Sequence, residues 1–442
     1  MAGRKEVQAL LELISRSAIE ALDEYEKQGD GIPSIYEDKT HPLDDKHPSL
    51  QLKKVIRNLE GACDQLCATL APPLHTIVNR AQDYYWSCLR VAAHKRIADI
   101  LDQAGSMDLV SLANSTGIQT TKLRILMRTL AARHCFYEVS HDMYTNTRLS
   151  LVLHSRHLHT SYIDLLTKEG QESAGYFQEY LDATEYSQCN DTSHTVFTYS
   201  VKATGFQGTV YDWMKANSDR RAVRYHSSMP SMNDVMGTMF IIQAFPWEKI
   251  STVCDVGCGN GSFAWPLVQN FPQIEITLFD LDETLEAAKK DAMCLSPELQ
   301  THIHFQSGDF FLNMLPKSLD IYYLRNIIHN WPDSSARLIL QSIRDAMGPQ
   351  SRILIHDYTM NSLQSQDFLD IVMAPWPLLP DFGYGNMRLH YQDLTMLFMY
   401  NSKERTLEEV GAISQDVGLK LYRVWDLGET TVLEFGQNDV DR

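Results

Sequence analysis

The stretch Val253-Cys254-Asp255-Val256-Gly257-Cys258-Gly259-Asn260-Gly261-Ser262-Phe263 decides how this chain is read. Ile250 to Val256 predicts a short buried strand, and three glycines at alternate positions then let the backbone turn tightly before a helix opens at Ser262. A glycine turn of this kind can hold a dinucleotide, whose fingerprint is G-x-G-x-x-G. Here the order Gly257-x-Gly259-x-Gly261 is one residue short at the third glycine. Asp255 adds a second argument, because a carboxylate is repelled by a pyrophosphate and attracted by an ammonium or sulfonium group. The loop therefore predicts a cationic ligand.

Working outward, Ile274 to Asp280 predicts a second strand that ends in an acid 19 residues after Gly261. An acid at the tip of the second strand of a doubly wound unit can accept hydrogen bonds from both ribose hydroxyls. A third strand, His304 to Ser307, runs into Gly308-Asp309-Phe310, where an acid and an aromatic ring can take the edge and face of an adenine. A cation, a ribose and an adenine together spell S-adenosylmethionine.

These residues, with the later run His329-Asn330-Trp331-Pro332-Asp333, resemble the plant and fungal small-molecule O-methyltransferase family. The resemblance extends from about Tyr84 to about Gly436. It implies an α/β fold: a Rossmann-like class I methyltransferase domain behind an N-terminal all-α, winged-helix dimerisation domain. The expected division is a helical extension over residues 1–82, the winged-helix domain over 83–204 and the S-adenosylmethionine-binding domain over 205–442. Carried onto this chain, the family's cofactor positions are Asp255, Gly257, Gly259, Gly261, Asp280, Leu281, Asp309, Phe310 and Arg325.

Methyl transfer from a sulfonium to a phenol is an in-line substitution, helped by proximity and by a base that removes the phenol proton. Histidine suits that task near neutral pH. The resemblance makes His329, after the fourth strand (Leu319 to Leu324), the base, with Asp357 and Glu404 as the acids that flank it; the family usually has Glu where Asp357 stands. Enzymes that methylate nucleobase or amide nitrogens carry Asn/Asp-Pro-Pro-aromatic after strand four, whereas this chain has Leu324-Arg325-Asn326-Ile327. A rival reading comes from inside the family, where some fungal relatives keep the cofactor site yet catalyse dehydration and pericyclic ring closure, with the sulfonium as a fixed charge. The long N-terminal extension, Arg325, Asp357 and the histidines at 154, 157 and 159 are compatible with it, and retention of His329 favours methyl transfer.

Composition narrows the partners. A formal net charge of −17 opposes binding to a polyanion and points to small-molecule substrates. No window approaches the ~18 uninterrupted apolar residues of a membrane span, and the first residues lead into an amphipathic helix, so the expectation is a cytoplasmic protein. The eight cysteines show no C-x-x-C pair and no zinc spacing, so no metal is expected; Cys63 and Cys67 read as buried thiols on a helix.

In chain order, helical periodicity covers residues 5 to 29, a Gly/Pro/Asp-rich loop spans 28 to 48, and a helix runs from Leu50 to about Leu70. Leu109 to Ala113, a turn at Ser115-Thr116-Gly117 and Thr121 to Leu130 predict a helix-turn-helix, and Phe136 to Val139 with Tyr144 to Thr147 predict a wing. Lys122, Arg124, Arg128 and Arg133 raise a DNA-binding alternative, opposed by the acidic balance and by the family's use of this module for homodimerisation. His154, His157 and His159 fall in a helix-like run, and residues 183 to 204 read as an aperiodic loop. Helices follow over Val210 to Ala216 and Arg220 to Thr238; in the family the stretch at Tyr225 to Met236 lines the acceptor pocket, with Met229, Met232 and Met236 as an adaptable wall. From Pro246 onward strands and helices alternate, predicting a parallel sheet covered on both faces, with a fifth strand over Arg352 to His356 and a closing pair over Leu419 to Leu427 and Thr430 to Phe435. An aromatic, proline-rich segment from Val372 to Tyr391 reads as a lid.

Overall fold

The computed structural model describes residues 2–29, 31–45, 49–157, 159–216, 221–237, 239–312, 314–360 and 373–438. By internal contact the chain falls into two units, Met1–Tyr180 with Ser200–Val235 and Leu181–Tyr199 with Met236–Arg442. This grouping takes residues 205–235 with the N-terminal part and residues 181–199 with the C-terminal part.

In the first unit, helix Ala2–Glu26 packs on helix Leu50–Leu70 through Leu10, Leu13, Ala21, Leu52 and Val55, all buried. Ser49 starts the second helix: its Oγ accepts from the Leu52 amide at 3.0 Å and donates to Glu24 Oε2 at 2.6 Å, so one cap also ties the pair together. The expected loop over 28 to 48 contains a short helix, Pro42–Asp45, anchored by Arg148 Nε on Asp44 at 2.6 Å. Cys63 and Cys67 are exposed rather than buried, because the packed face of their helix is the one that carries Leu52, Val55 and Ala62.

The winged helix is built as the spacing predicts, from helix Leu109–Thr116, Gly117 at φ 68°, and helix Thr120–Ala131. Asp108 caps the first helix by accepting from the Val110 and Ser111 amides, each at 3.0 Å. The wing has one strand more than expected: β1 (Ser106–Asp108), β2 (Phe136–Ser140) and β3 (Met143–Asn146) form an antiparallel sheet of order β1-β3-β2. Of the basic residues that raised DNA binding, Arg124 forms an ion pair with Asp142 at 2.7 Å and Arg133 lies over the Tyr85 ring at 4.7 Å. The histidine run is not one helix. A 3-10 turn over Ser150–Leu153 leaves His154 between Asp99 and Asp102, at 3.5 and 3.4 Å, and a new helix starts at His159, whose ring stacks on His157 at 5.5 Å.

The second unit is organised by strands β4 (Thr252–Val256), β5 (Glu275–Asp280), β6 (Ile303–Ser307), β7 (Ile321–Arg325) and β8 (Arg352–Asp357), followed by β9 (Thr359–Met360), β10 (Arg405–Thr406), β11 (Leu419–Asp426) and β12 (Thr431–Gln437). The main sheet has the order β11-β12-β8-β7-β4-β5-β6, with β8 to β6 parallel. The closing pair is antiparallel: the short Leu427–Thr430 turn, with Gly428 at φ 91°, folds β11 and β12 into a hairpin at the edge of the parallel strands. The central strands are apolar on both faces; Ile321, Tyr322, Tyr323 and Leu324 are all buried. Helix Asp333–Ala346 covers one face with Ala336, Ile339, Leu340, Ile343 and Ala346, a helical stripe in which each large side chain contributes about 1.5–3 kcal/mol by burial.

Other expectations give way in detail. Residues 183 to 204 hold short helices, Thr184–Ser187 and Val196–Val201, where Thr195 and Thr198 cap each other and Val196 and Phe197 are buried; such pieces are too short to show a period. The helix after the glycine loop begins at Ala264, two residues late, because Gly261 sits at φ 80°. Of the segment from Val372 to Tyr391, residue 372 lies outside the described residues, and the end is regular: a 3-10 turn over Gly383–Asn386 leads into helix Met387–Tyr400, so Tyr391 is helical. Among the described residues no helix is long and apolar enough to cross a membrane.

Candidate active site

Parallel register brings the carboxyl ends of five strands to one edge, and the sequence-predicted residues stand there. Val256 is level with Phe279 and Leu324, Asp280 with Ser307, and Arg325 with His356. Gly257, Gly259 and Gly261 all lie at positive φ, 72°, 58° and 80°. A Cβ would meet Ile327 Cδ1 at 2.4 Å from Gly257 and the Trp265 ring at 2.3 Å from Gly261, but nothing within 4 Å from Gly259. The loop is thus packed at its two ends and bare at its middle.

Asp255 is 3% exposed, and its Oδ2 has no hydrogen-bond partner. Burial pushes its carboxyl up to about 7, with Arg325 opposing and Asp280 reinforcing. Asp280 closes the neighbouring turn, its Oδ2 accepting from the Gly259 amide at 2.9 Å and its Oδ1 from the Leu281 amide at 2.7 Å. The Thr284 side chain is a third donor to this carboxylate, whose two oxygens still leave acceptor capacity for a ligand. Arg325 donates from Nη2 to Ser262 Oγ at 2.8 Å. Asp309 accepts from the Phe311 amide at 2.8 Å, and Phe310 stands edge-on to Phe311 and Trp331. The donor set fits a compound that is cationic at one end and a ribosyl adenine at the other: an unpartnered buried carboxylate, a bare glycine turn, a strand-tip acid with spare acceptor capacity, and an aromatic ring beside an acid.

The second group is built on the turn after β7. Asn326 adopts φ 54°, which asparagine tolerates, and Asn330 Nδ2 ties back to its carbonyl at 2.8 Å. This turn buries His329 to 4% exposure, with Nδ1 2.7 Å from Glu404 Oε1. Burial is the largest influence on the imidazole and pushes it down, but Glu404 and Asp357 together outweigh it and raise it to about 9. Asp357 does not reach the ring nitrogen held by Glu404; its Oδ2 accepts from the His329 backbone amide at 3.3 Å, so the shorter acid supports the turn. Glu404 Oε2 and Asp357 Oδ1 are buried without partners beside a cavity of about 10 Å³, the scale of a single water.

Sequence reasoning missed three parts of this arrangement. Asp393 accepts from the Glu404 amide at 2.8 Å, a two-residue ladder of β9 on β10 holds Glu404 near Asp357, and Arg405 reaches back to the His329 turn. None of them carries a spacing signal. Buried His356, between Tyr323 OH at 2.6 Å and Thr430 Oγ1 at 2.9 Å, is a satisfied core histidine whose burial pushes it down to about 3. Of the methionines expected to line an acceptor pocket, Met236 is buried and Met229 and Met232 are half-buried.

Comparison with known proteins bears on the family and the fold. An O-methyltransferase domain model matches residues 191–420, and an O-methyltransferase dimerisation domain model matches residues 83–156. The 3-O-methyltransferase 2 of Phanerochaete chrysosporium is 35% identical over 439 residues, covering 97% of this chain and 96% of its own. Among solved structures, human N-acetylserotonin methyltransferase in complex with SAM superposes at TM-score 0.66 with 18% identity, covering 84% of this chain and 99% of that one. A protein described as a pericyclic reaction enzyme superposes at TM-score 0.67 with 18% identity, covering 87% and 95%. At such identities the last two share the fold.

Proposed function

The chain belongs to the O-methyltransferase family, and from that premise we propose that it transfers a methyl group from S-adenosylmethionine to a hydroxyl of a small secondary metabolite, with His329 as general base. Asp280 would hold the ribose, Asp309 and Phe310 the adenine, and Asp255 the cationic end, with Leu281, Arg325 and the glycine turn completing the site. The cofactor supplies an electrophilic methyl group; the protein's own residues supply position and proton transfer. The division into a helical extension (1–82), a dimerisation domain (83–204) and a catalytic domain (205–442) is part of this proposal.

The observation that carries the reading is the 2.7 Å contact of His329 Nδ1 with Glu404. It fixes the tautomer, so Nε2 is the nitrogen that takes up the substrate proton. Glu404 and Asp357 raise the imidazole, to about 9, so its neutral form is a stronger acceptor for the substrate proton and turnover should rise with pH toward that value. A phenolic hydroxyl, far more acidic than an aliphatic one, is the acceptor that suits a histidine base. No specific feature of the site favours the pericyclic alternative.

The test is incubation of the full chain with S-adenosylmethionine and phenolic polyketide or pyridone candidates, followed by mass spectrometry for S-adenosylhomocysteine. His329→Gln should lower kcat by about 10²- to 10⁴-fold with cofactor affinity nearly intact. Conversion of a substrate to an isomer or dehydrated product without release of S-adenosylhomocysteine would overturn methyl transfer in favour of the pericyclase reading.

A further inference from the structure

The turn that carries His329 is gripped by a side chain to which the proposed chemistry gives no role. Arg405 is 3% exposed, and its guanidinium donates from Nη1 to the Ile328 carbonyl at 2.8 Å, from Nη2 to the Trp331 carbonyl at 2.6 Å and from Nε to Asp333 Oδ1 at 2.9 Å. The two carbonyls bracket His329 in the chain, and a planar fork can hold both at once where a single ammonium cannot. In sequence Arg405 directly follows Glu404, and it pairs in register with Thr359, two residues beyond Asp357. One short ladder thereby sets the positions of three charged groups around one imidazole, with Asp393 supporting Glu404 from behind.

We propose that Arg405 is a positioning residue for methyl transfer, clamping the turn from Ile328 to Asp333 so that His329 keeps a single aim while Glu404 holds its Nδ1. This rests on the reading of His329 as the base. It also gives a purpose to the end of the His329-Asn330-Trp331-Pro332-Asp333 run, in which Trp331 supplies a carbonyl and Asp333 an anion to the same guanidinium. Of the charged groups that act on His329, Glu404 and Asp357 favour protonation and Arg405 opposes it alongside burial, so its charge restrains the two acids while its fork fixes the geometry.

Two full-length variants separate these effects. Arg405→Gln should lower kcat by about 10- to 100-fold, the scale of a roughly 1 Å misplacement, with cofactor KM within about twofold of wild type. The rising limb of its pH–kcat profile should move to higher pH by at least about 0.5 unit, because the charge that opposes protonation is gone. Arg405→Lys keeps the charge and is the variant to rely on if the first fails to fold: its limb should stay in place while kcat falls at least about tenfold, since one ammonium cannot bridge two carbonyls. A wild-type kcat in Arg405→Lys, or a fall in Arg405→Gln with the limb unmoved and melting temperature lowered, overturns the clamp. His329→Gln run in parallel distinguishes the failures: if that variant keeps its turnover, the base reading fails; if it is inactive while Arg405→Lys is normal, only the clamp fails.

Discussion

A carboxylate buried at a strand tip with one oxygen unpartnered is costly to ionise until a cation meets it, and Asp255 is such a group. With its carboxyl at about 7 in the folded protein, against ~3.9 for a free aspartate, the sign follows: Asp255 contributes stability at low pH that is lost as pH rises through about 7. A cation binding beside it favours the ionised form and releases a proton. Cofactor affinity should therefore rise by up to about tenfold per pH unit below pH 7 and then level off. Asp255→Asn should remove that part of the pH dependence and weaken binding by about 10- to 100-fold, measured by calorimetric titration between pH 5.5 and 8.5. Affinity equally pH-dependent in the variant would place the titrating group elsewhere. At this scale the sequence was informative where a residue follows an apolar run, as Asp255, Asp280, Arg325 and His329 do. It was silent where the partner is a backbone atom, because the carbonyls that Arg405 holds and the amide that Asp357 accepts from carry no residue identity.

Among elements, the glycine turn allows a sharper test, since its three positive-φ glycines have different surroundings. An alanine at Gly261 would drive its Cβ into the rigid Trp265 ring at 2.3 Å, so Gly261→Ala should mainly lower melting temperature. An alanine at Gly259 meets nothing within 4 Å and costs about 1–2 kcal/mol for its left-handed backbone, but it places a methyl group on the bare face of the turn. Gly259→Ala should thus weaken cofactor binding at least about tenfold for a small loss of stability. Scanning calorimetry with titration on both variants reads the contrast, and the reverse pattern would mean that the ligand does not approach this face. The turn and the five parallel strands were legible because most are short apolar runs and all but β7 are closed by glycine or an acid, and their observed ends fall within two residues of expectation. The ladder of β9 on β10 was not legible, since two residues cannot show a period and its register depends on chain brought from far along the sequence. The helix from Met387 was hidden by the prolines and aromatics just before it.

For the whole molecule, what remains to be explained is a helix with no interior. Pro73–Ala81 has no buried residue, yet its Leu74, Ile77 and Val78, spaced for one helical face, are between 42% and 76% exposed. An isolated nine-residue helix is marginal in water, so an exposed apolar stripe of this length calls for a cover. The matched dimerisation domain begins at residue 83, immediately after it. A closed dimer would present the same patch twice about one axis, and burying about 600–1,000 Å² on each copy is what a stable interface needs. Sedimentation equilibrium at micromolar concentration should therefore give twice the chain mass. Leu74→Asp with Ile77→Asp places two charges in the stripe and should shift the protein to monomer or weaken the dimer by at least about 100-fold, because an unpaired charge buried at an interface costs several kcal/mol. Measuring cofactor affinity of the same double variant checks that the catalytic fold is intact, as the Asp255 and Asp280 contacts lie wholly within the sheet unit. If the double variant sediments as wild type does, the stripe lies outside the interface and dimerisation must be sought on the winged helix itself, whose exposed Val110 and Ile125 would be the next positions to charge.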